Sequence, residues 1–391
     1  MLDYLSKINL KNFSEKTCLL RVDLNIEPKE EKNAYRLEAI LPTIKLLLKN
    51  KIKVVILSHR GQPQKIPNFK SQISKFTLSP FSSIISQKIK QPVVFFPHFD
   101  FKKIKKQIQN SQNQIFLLEN LRFLKGEEKN DSKLSRQLAQ LADFYINDAF
   151  AVSHRKNASV VAISKYLPSY AGLLLEKEIK NLDKVIKNYK HPLTIIIGGA
   201  KISDKIGVIK YLWRKADYFL LGGGPANTFF YAQGLPIGDS LAEKNLSLKN
   251  YLNSKKIILP SDCKISQRKI LDIGPQTIKK FSEIIKKSKT IIWNGPMGMF
   301  EKKEYKNGTF GIWKAILANR KAQIVIGGGE TLASLATLMP ADYKRITTDT
   351  YQRKSASNIS VNPRLFLSTG GGAMLEYLSG KKLPGIEALA L

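Results

Sequence analysis

Glycine-rich turns, each placed after a strand-like run, are the stretches of this sequence whose residue types are best suited to chemistry. In the first, the apolar, β-branched residues 194–197 end at a pair of glycines, and Lys201 and Lys205 follow. If a helix begins near Ser203 or Asp204 as N-cap, the two lysines lie on one side of its first turn. Free N–H groups, the helix dipole and two ammonium groups would then favour a bound phosphate.

A plainer interpretation of the lysine pair is that both ammonium groups are solvated, as many must be in so basic a protein. The P-loop pattern G-x-x-x-x-G-K-[ST] is absent from the sequence. The two lysines therefore predict a phosphate site only if neighbouring segments indicate the same chemistry.

Other segments of the second half do indicate it, because they repeat the same design. Residues 218–221 are followed by three consecutive glycines, residues 323–326 by GGGET, and STGGGA occupies residues 368–373. Glycine lets backbone N–H groups approach a phosphate closely, and the Thr331 hydroxyl at a helix start adds a donor. This half of the chain is typical of a nucleotide site.

These turns need a scaffold that brings strand ends together, and the chain predicts one. Apolar runs alternate with stretches of helical periodicity, which is typical of a doubly wound parallel sheet. We predict strands at residues 17–22, 53–57, 92–96, 114–118, 144–146, 194–197, 218–221, 256–259, 290–293 and 323–326. We predict helices at residues 36–49, 81–90, 131–141 and 173–187, the last connecting two domains. Residues 340–363 are polar, basic and weakly periodic, which predicts an exposed loop or a disordered insert.

Polar clusters follow successive strands of the first half. Singly, each has a structural explanation, such as a turn-forming aspartate or a surface ion pair. At the carboxyl ends of parallel strands, however, they would converge on one cleft. Its arginines suit a phosphate or carboxylate, because a guanidinium offers planar, paired donors. The clusters are Asp23 with Asn25, SHRG at residues 58–61, Arg122, and His154 with Arg155.

Composition limits the class of protein. The chain has 391 residues, 43% of them hydrophobic, which is enough for a large core and two domains. The sequence has 64 Lys and Arg against 31 Asp and Glu, and a net charge of +33 favours anionic partners, unless the dispersed lysines merely coat the surface. Cys18 and Cys263 are the only cysteines, which indicates a reducing compartment. We see no signal peptide and no apolar run of membrane-spanning length, so we expect a cytoplasmic protein that binds no membrane.

Ordered blocks of sequence run along nearly the whole chain. In the first half they are RVDLNIEP at 21–28, SHRGQP at 58–63, LLENLRF at 117–123 and NDAFAVSHRKNAS at 147–159. In the second half they are GGAKISDKIGVI at 198–209, DIGPQT at 272–277, WNGPMGMFE at 293–301, GGGET at 327–331 and STGGGAMLEYLSGKKLPGIEAL at 368–389. Together these blocks resemble the phosphoglycerate kinase family, and their number and order make the resemblance specific.

The resemblance implies an α/β protein of two Rossmann-like, doubly wound parallel-sheet domains joined by a helical hinge. We expect a first domain at residues 1–172 that binds 3-phosphoglycerate, a hinge helix at 173–188, a nucleotide-binding domain at 189–367, and a segment at 368–391 that returns to the first domain. The expected reaction is the glycolytic, reversible phosphoryl transfer between 1,3-bisphosphoglycerate and ADP, giving 3-phosphoglycerate and ATP, with Mg²⁺. A monomer is expected from the family.

The resemblance also implies which residues bind the two substrates. The glycerate compound is expected to contact Asp23, Leu24, Asn25, Arg36, His59, Arg60, Gly61, Gln62, Arg122 and Arg155. The nucleotide is expected to contact Lys201, Lys205, Gly222, Gly223, Gly224, Asn294, Pro296, Glu301, Gly328, Gly329, Glu330 and Thr331. We expect Glu330 to serve the metal. Catalysis is assigned to Arg36, Lys201, Lys205 and Gly371.

The residues themselves are consistent with this reaction. The acceptor carboxylate is already ionised at neutral pH, so no general base has to remove a proton. In-line positioning and the positive field of Arg36, Lys201 and a metal can then stabilise the transferring group. We expect hinge closure before transfer, because closure expels water that would hydrolyse an acyl phosphate.

Two positions break the family pattern at places that matter, and smaller departures lie near the expected adenine and in the insert at 340–363. Glu330 stands where an aspartate is usual, so the carboxylate is one methylene further from the backbone. Gln62 stands where an arginine is usual, and we suggest that Arg60 partly restores the lost cation. Pro225 and Asn227 replace bulkier apolar residues near the expected adenine, which leaves the nucleotide preference open.

Two other classes of function are compatible with the sequence. The charge would suit a nucleic-acid-binding protein, but no basic and aromatic strand motif of the RNA-binding kind is present, so nucleic acid is not an expected partner. An inactive interaction protein descended from a kinase is the other alternative. The retained Arg36, Lys201 and Lys205 argue against it.

Overall fold

The computed structural model describes residues 2–28, 34–66, 73–351 and 364–390. The chain divides into two compact units. Unit 1 comprises Met1–Glu178 with Lys382–Leu391, and unit 2 comprises Ile179–Lys381. The boundary between Glu178 and Ile179 falls inside the predicted connecting helix. The C-terminal residues that belong to unit 1 begin at Lys382, whereas the returning segment was predicted to begin at position 368.

Unit 1 is built on a six-stranded sheet whose described strand pairs are all parallel. Its strands are β1 (Thr17–Arg21), β2 (Lys53–Leu57), β3 (Val93–Phe96), β4 (Ile115–Leu118), β5 (Phe144–Asn147) and β6 (Ser169–Ala171), in the order β3-β4-β2-β1-β5-β6. Its helices are α1 (Ala34–Lys49), α2 (Ile73–Phe76), α3 (Ser79–Ile89), α4 (Phe101–Asn110), α5 (Lys125–Glu128), α6 (Ser132–Ala139) and α7 (Leu173–Lys187), which continues into unit 2. The central strands are almost continuously buried, as expected for a parallel sheet covered on both faces.

Unit 2 repeats the architecture with a second six-stranded parallel sheet and an antiparallel hairpin. Its strands are β7 (Leu193–Ile197), β8 (Tyr218–Leu221), β9 (Ile257–Ile258), β10 (Cys263–Ser266), β11 (Lys269–Ile273), β12 (Thr290–Asn294), β13 (Gln323–Gly327) and β14 (Leu365–Leu367). Its helices are α8 (Ile206–Leu212), α9 (Gly223–Ala232), α10 (Pro275–Lys287), α11 (Asn307–Ala318), α12 (Gly329–Leu338), α13 (Pro340–Tyr351) and α14 (Gly372–Leu378). The sheet order is β14-β13-β12-β7-β8-β9, and β10 pairs with β11. The predicted α/β class with two parallel sheets is confirmed.

Each sheet has a central switch point, where the connections that follow two neighbouring strands leave in opposite directions. In unit 1 this point lies between β1 and β5, and in unit 2 between β7 and β12. Ligands of open α/β sheets bind beyond the carboxyl ends of the strands at such a point. The topology therefore directs attention to the loops after these four strands.

Two local predictions are wrong. The helix after β7 begins at Ile206 rather than near Ser203, and no side chain caps it. The Ser203 hydroxyl and N–H instead donate to the Glu243 carboxylate at 2.6 and 2.7 Å, so a tertiary contact takes the place of the cap. Residues Pro340–Tyr351 form a helix where a loop was expected, and residues 352–363 of that predicted insert lie outside the described residues.

The last residues of the chain pack against the loop that follows β5. The N–H of Gly385, in the short helix α15 (Pro384–Glu387), donates to the Ser153 carbonyl at 2.8 Å. The Asn147 side chain donates to the Gly385 carbonyl at 3.2 Å. The C-terminal segment of unit 1 is thus tied to the carboxyl end of a central strand.

Among the helices of the described residues, none combines the length and the apolar character that a membrane span requires.

Asp148, the residue after β5, holds the start of α7. Its Oδ1 accepts hydrogen bonds from the N–H groups of Leu174 at 2.8 Å and Leu175 at 3.1 Å. Burial raises the pKa of Asp148 to about 7, although these hydrogen bonds oppose the shift. Near neutral pH the carboxyl group therefore titrates inside the protein.

We expect the Asp148→Asn variant to become more stable relative to the wild type as the pH rises. A carboxyl group with a raised pKa stabilises the folded state below the unfolded pKa of about 4 and loses that contribution as the pH passes 7. Asparagine does not titrate, so the variant's advantage in free energy of unfolding should grow by ~2–4 kcal/mol between about pH 4 and pH 8. Urea unfolding at a series of pH values measures this difference, with the exposed Glu283→Gln as control. Parallel stability profiles for Asp148→Asn and wild type would contradict the expectation.

Candidate functional site

The loops after β1 and β2 are held together by side-chain to backbone hydrogen bonds. Ser58 Oγ donates to the Val22 carbonyl and accepts from the Leu24 N–H, both at 2.9 Å. Asn25 Oδ1 accepts from the Gly61 N–H at 2.8 Å. The predicted residues Leu24, Asn25 and Gly61 are therefore brought together at the carboxyl end of the sheet.

Asp23 and Arg36 form an ion pair beside these loops. Arg36 Nη1, from the first turn of α1, lies 3.2 Å from Asp23 Oδ2, and Asp23 Oδ1 accepts from the Asn25 N–H at 3.0 Å. Arg36 Nε also donates to the Tyr35 hydroxyl at 3.1 Å. The guanidinium is thus fixed by partners and still partly exposed, as a group that receives an anion must be.

Asn120 ties the loop after β4 to the loop after β2. Its Oδ1 accepts from the N–H groups of Arg60 at 3.2 Å and Arg122 at 3.1 Å, and its Nδ2 donates to the Arg60 carbonyl at 2.7 Å. Arg122 is almost fully buried and donates to the Gly61 carbonyl at 2.5 Å. Burial and the nearby Arg155 lower the pKa of Arg122 to about 10, so it remains a cation at neutral pH.

If Arg60 replaced the cation that is missing at Gln62, its guanidinium would have to be free to bind the substrate. The structure shows a different arrangement. Arg60 is buried, its Nη2 lies 2.7 Å from the Glu27 carboxylate, and its Nη1 donates to the Thr77 carbonyl at 3.3 Å. Gln62 is exposed. Because Glu27 already neutralises Arg60, compensation by Arg60 for the missing arginine stays a prediction with this geometry against it.

His59 lies among the arginines of this cluster. It is almost fully buried, and burial, followed by Arg21, Arg122, Arg155 and Arg36, keeps its pKa well below the usual value. The ring is therefore neutral at physiological pH. Together these side chains form a strongly cationic pocket at the carboxyl ends of β1, β2, β4 and β5, suited to a small polyanion.

Arg21 and Glu127 are not among the functional residues predicted from the sequence. Both are fully buried beneath the pocket, where Arg21 Nη2 lies 3.1 Å from His59 Nδ1. The signal that could have found Arg21 is a cation at the end of an otherwise apolar, buried strand. No spacing rule connects it to Glu127.

In unit 2 the glycine turns pack backbone against backbone. The N–H groups of Gly198 and Gly199 donate to the carbonyls of Asn294 at 3.0 Å and Pro296 at 2.7 Å. The N–H of Gly224 donates to the Gly199 carbonyl at 2.9 Å. A Cβ at Gly224 would lie 1.9 Å from the Ala200 carbonyl oxygen, so only glycine permits this approach. Predicted nucleotide-site residues after β7, β8 and β12 are thereby joined.

Lys201 and Lys205 do not form the predicted pair on a helical turn, because α8 begins after both. Lys201 is exposed, whereas Lys205 is buried and its Nζ donates to the Lys201 carbonyl at 3.2 Å. A Cβ placed on Gly199 would lie 3.3 Å from Glu330 Oε2 and 3.7 Å from Lys205 Nζ. The pKa of Lys205 lies below its ordinary value, because burial outweighs the nearby carboxylates of Asp204 and Glu330, which raise it. The structure therefore brings Lys205 and Glu330 to the same glycine turn.

The loops after β12 and β13 are joined by two hydrogen bonds. Thr331 Oγ1 accepts from the Gly295 N–H at 2.7 Å, and Asn294 Nδ2 donates to the Gly327 carbonyl at 2.9 Å. Gly328 adopts a φ of +103°, which glycine tolerates far better than other residues. These contacts fix the start of α12 next to the switch point of the sheet.

Gly371 precedes α14, in the turn after β14. Its φ is +48°, and a Cβ there would meet no atom within 4 Å. A Cβ on Gly327, at the end of β13, would lie 3.3 Å from Ser368 and 2.3 Å from Met374. The turn that contains Gly371 therefore lies beside the GGGET turn, as two neighbouring strand ends require.

A cavity of about 430 Å³ opens where these turns meet. It is lined by several predicted nucleotide-site residues and by a wall that was not predicted from the sequence. That wall comes from the β10–β11 hairpin, which does not belong to the parallel sheet. The cavity is lined by Gly199, Ala200, Gly223, Gly224, Asn227, Asp239, Leu241, Lys269, Ile270, Leu271, Pro296, Gly298, Met299, Glu301 and Glu330.

Comparisons with known proteins identify the family to which the chain belongs. The family model described as phosphoglycerate kinase matches residues 8–381. The chain belongs to the phosphoglycerate kinase family. Members of this family are phosphotransferases with a carboxyl group as acceptor and act with ATP and ADP, so this kinase is an enzyme of that class.

Individual relatives match the kinase along its whole length. A phosphoglycerate kinase from Finegoldia magna is 40% identical over 409 residues, covering 97% of each chain. One from Pseudothermotoga lettingae is 39% identical over 420 residues, covering 99% of each. The solved structure of phosphoglycerate kinase from Pyrococcus horikoshii is 30% identical, with a TM-score of 0.79 over 100% of this chain and 98% of that one. That from Coxiella burnetii is also 30% identical, with a TM-score of 0.76, covering 100% and 99%.

Proposed function

We propose that unit 1 binds 3-phosphoglycerate or 1,3-bisphosphoglycerate and unit 2 binds ATP or ADP, and that the kinase transfers the phosphoryl group between them. The observation that carries this proposal is the contrast between the two strand-end sites. One is a pocket of arginines around a neutral histidine, suited to a small polyanion. The other is a cavity walled by glycine backbone and apolar side chains, suited to a nucleotide.

The roles proposed in unit 1 follow from its charges. Arg122, Arg155 and His59 contact the phosphate and carboxylate of the acid, and Asp23 and Asn25 accept hydrogen bonds from its hydroxyl group. Arg36 shares its guanidinium between Asp23 and the group being transferred. Leu24, Gly61, Arg60 and Gln62 shape the rim of the pocket.

The roles proposed in unit 2 follow from its backbone. Gly222, Gly223, Gly224 and Pro296 lie along the base, Asn294 forms the pocket wall, and Glu301 binds the ribose. Lys201 and Lys205 face the phosphates, with Gly371 and the N–H groups of Gly328, Gly329 and Thr331 completing the cradle. The residues assigned to the base and ribose come from the family resemblance, and the cavity supports this assignment for Gly223, Gly224, Pro296 and Glu301, which line it.

A catalytic Mg²⁺ fits the residues present. Among the described residues no group of three or more acidic, histidine or cysteine side chains could hold a metal alone. Magnesium in kinases is usually held by one or two carboxylates together with substrate phosphates, and Glu330 next to Gly199 and Lys205 supplies such a carboxylate. Bound there, the ion would neutralise charge on the phosphates of the nucleotide.

We expect Glu330→Ala to raise the Mg²⁺ concentration needed for half-maximal activity by ~10-fold or more. Loss of one direct or water-bridged carboxylate removes a ligand from an ion that demands near-ideal geometry. Titration of activity with Mg²⁺ at saturating ATP measures the change. Glu330→Asp, which restores the usual family residue, is the matched control and should need no more Mg²⁺ than wild type. An unchanged Mg²⁺ dependence in Glu330→Ala would exclude Glu330 as a ligand.

The proposed mechanism is direct in-line transfer. In the direction of ATP use, a carboxylate oxygen of 3-phosphoglycerate attacks the γ-phosphorus, and the bond to the β,γ-bridging oxygen of ATP breaks. No proton has to be removed from the acceptor. Arg36 and the two lysines stabilise the charge on the transferring group, so positioning and electrostatics account for the acceleration.

Because each unit supplies half of this chemistry, we propose that the kinase closes about its hinge when both substrates are bound. We expect the radius of gyration from small-angle scattering to fall with 3-phosphoglycerate and a non-hydrolysable ATP analogue together. Each ligand alone is the control and should change it less. Identical profiles with and without both ligands would refute closure.

A coupled assay tests the overall proposal. ATP consumption should require 3-phosphoglycerate, and glycerate without its phosphate should be a much poorer acceptor, because the arginine pocket binds the phosphate. Equal turnover of the two acids would remove the assigned role of unit 1. We further propose a cytoplasmic monomer, supported by family membership and by two cysteines that form no disulfide.

A further inference from the structure

Arg21 lies fully buried at the end of β1, where each of its nitrogens meets a polar group. Its Nε donates to Ser159 Oγ at 2.9 Å, its Nη1 donates to the Val22 carbonyl, and its Nη2 lies 3.1 Å from His59 Nδ1. Moving a cation from water into the protein interior costs free energy unless its N–H donors find hydrogen-bond partners there. A buried arginine in contact with a ligand-site histidine therefore calls for a reason beyond packing.

Glu127 supplies the counter-charge through Ser159. Ser159 Oγ donates to Glu127 Oε1 at 2.6 Å, and the Ser159 N–H donates to Oε2 at 3.1 Å. Asn157 Nδ2 adds a hydrogen bond to Oε1 at 3.3 Å, and Oε1 lies 4.0 Å from Arg21 Nη2. All four side chains are buried. The order His59, Arg21, Ser159, Glu127 thus forms a continuous buried relay from the pocket into the core of unit 1.

The chemistry of the groups settles the protonation of the ring. A guanidinium can only donate, so His59 Nδ1 must accept from Arg21, and a neutral imidazole with an accepting Nδ1 carries its proton on Nε2. A doubly protonated ring would place N–H against N–H and would add a charge to the cationic groups that face it. These groups are Arg21 from β1, Arg36 from α1, Arg122 after β4 and Arg155 after β5.

We propose that Arg21, held by Ser159 and Glu127, is a positioning residue that fixes His59 as the neutral, Nε2-protonated imidazole. In this form His59 offers the acid substrate an N–H donor without further positive charge. The arginines can then stay close together when the pocket is empty. The inference rests on the proposed function in one respect, because that function makes His59 a ligand of the acid substrate.

Nitrogen NMR of the full-length kinase labelled with ¹⁵N in histidine tests the proposal. The sequence has four histidines, so the spectrum is simple, and His59→Gln assigns the His59 signals. In the wild type we expect an unprotonated Nδ1 and a protonated Nε2, unchanged between about pH 8 and pH 6, where an ordinary histidine titrates. Protonation of Nδ1 in this range would overturn the proposal.

Two variants test the relay, and a third variant is their control. Arg21→Met removes the donor to Nδ1, and Ser159→Ala removes the hydroxyl that orients Arg21. In both we expect a mixture of His59 tautomers, titration of the ring within the same pH range, and a KM for 3-phosphoglycerate raised by ~10-fold, the loss of about one hydrogen bond to a charged group. Tyr145→Phe removes a buried 2.8 Å hydrogen bond to the Ser159 carbonyl and leaves the relay intact. It should lower stability only.

The outcomes separate the inference from the proposed function. If Arg21→Met does not fold, Ser159→Ala decides alone. Lower stability in these variants with unchanged His59 nitrogens would show that Arg21 is merely structural and would overturn the proposal. If the relay behaves as expected but 3-phosphoglycerate leaves the His59 signals unmoved, the assignment of His59 to the substrate is wrong, and the part of the inference that concerns binding is overturned with it.

Discussion

Arg36→Ala is expected to lower kcat by ~10³-fold with little change in the free energy of unfolding. Arginines that stabilise a transferring phosphoryl group contribute about three to five orders of magnitude in rate. Arg36 is partly exposed, so its removal leaves no cavity in the core. Its partner Asp23 is buried and loses the ion-pair contact at 3.2 Å, but its Oδ1 still accepts from the Asn25 N–H at 3.0 Å.

Steady-state kinetics in the ATP-consuming direction measures this effect. The exposed Arg136 of α6 provides a matched control, and Arg136→Ala should leave kcat unchanged. Arg36→Lys should recover only part of the rate, since an ammonium group cannot hold Asp23 and the phosphoryl group in the same planar geometry. A kcat for Arg36→Ala within a factor of about three of wild type would remove Arg36 from the mechanism.

Gly224→Ala is expected to weaken nucleotide binding by ~100-fold and to lower stability by ~3 kcal/mol, since a forced backbone shift in a packed region costs about this much. The added Cβ would lie 1.9 Å from the Ala200 carbonyl oxygen and 3.2 Å from that of Gly199. One turn has to move away from the other, and both line the cavity.

Gly329→Ala separates damage to the protein from damage to the ligand site. A Cβ at Gly329 would meet no atom within 4 Å, so the variant should unfold like wild type. Any loss of ADP affinity in Gly329→Ala then reports a phosphate close to that position. Calorimetric titration with ADP and denaturant unfolding of both variants provide the measurements. Wild-type ADP affinity in Gly224→Ala would contradict the assignment of the cavity.

The strands were predictable because a parallel sheet covered on both faces leaves short apolar runs in the sequence. β2 was predicted with its observed bounds, and β4 to within one residue. The start of α8 was not, because its expected cap, Ser203, binds Glu243 instead, 40 residues away. α13 was predicted as a loop because its sequence is polar and its helical periodicity is weak.

The candidate sites, like the fold, were predictable only in part. Residues that follow strands could be predicted to converge, because the carboxyl ends of parallel strands meet at one edge. The relay beneath His59 could not, since Arg21 and Ser159 are 138 residues apart and only the folded chain brings them together. The cavity wall from Leu271 was equally hidden, because its hairpin lies outside the repeating pattern of strands and helices.

Arg60 shows how a substitution can mislead when only its charge is considered. Its proximity in sequence to Gln62 suggested that one cation replaces another. In the fold, its guanidinium is turned to Glu27 and the Thr77 carbonyl, so its charge is already balanced. The position of a side chain, more than its type, decides whether it can serve a ligand.

A crystal structure with 3-phosphoglycerate and a non-hydrolysable ATP analogue tests the central claim most directly. We predict the acid beside His59 and Arg122 in unit 1, and the nucleotide in the cavity of unit 2 with its phosphates near Lys205. Both ligands bound within a single unit, or the nucleotide outside that cavity, would contradict the account.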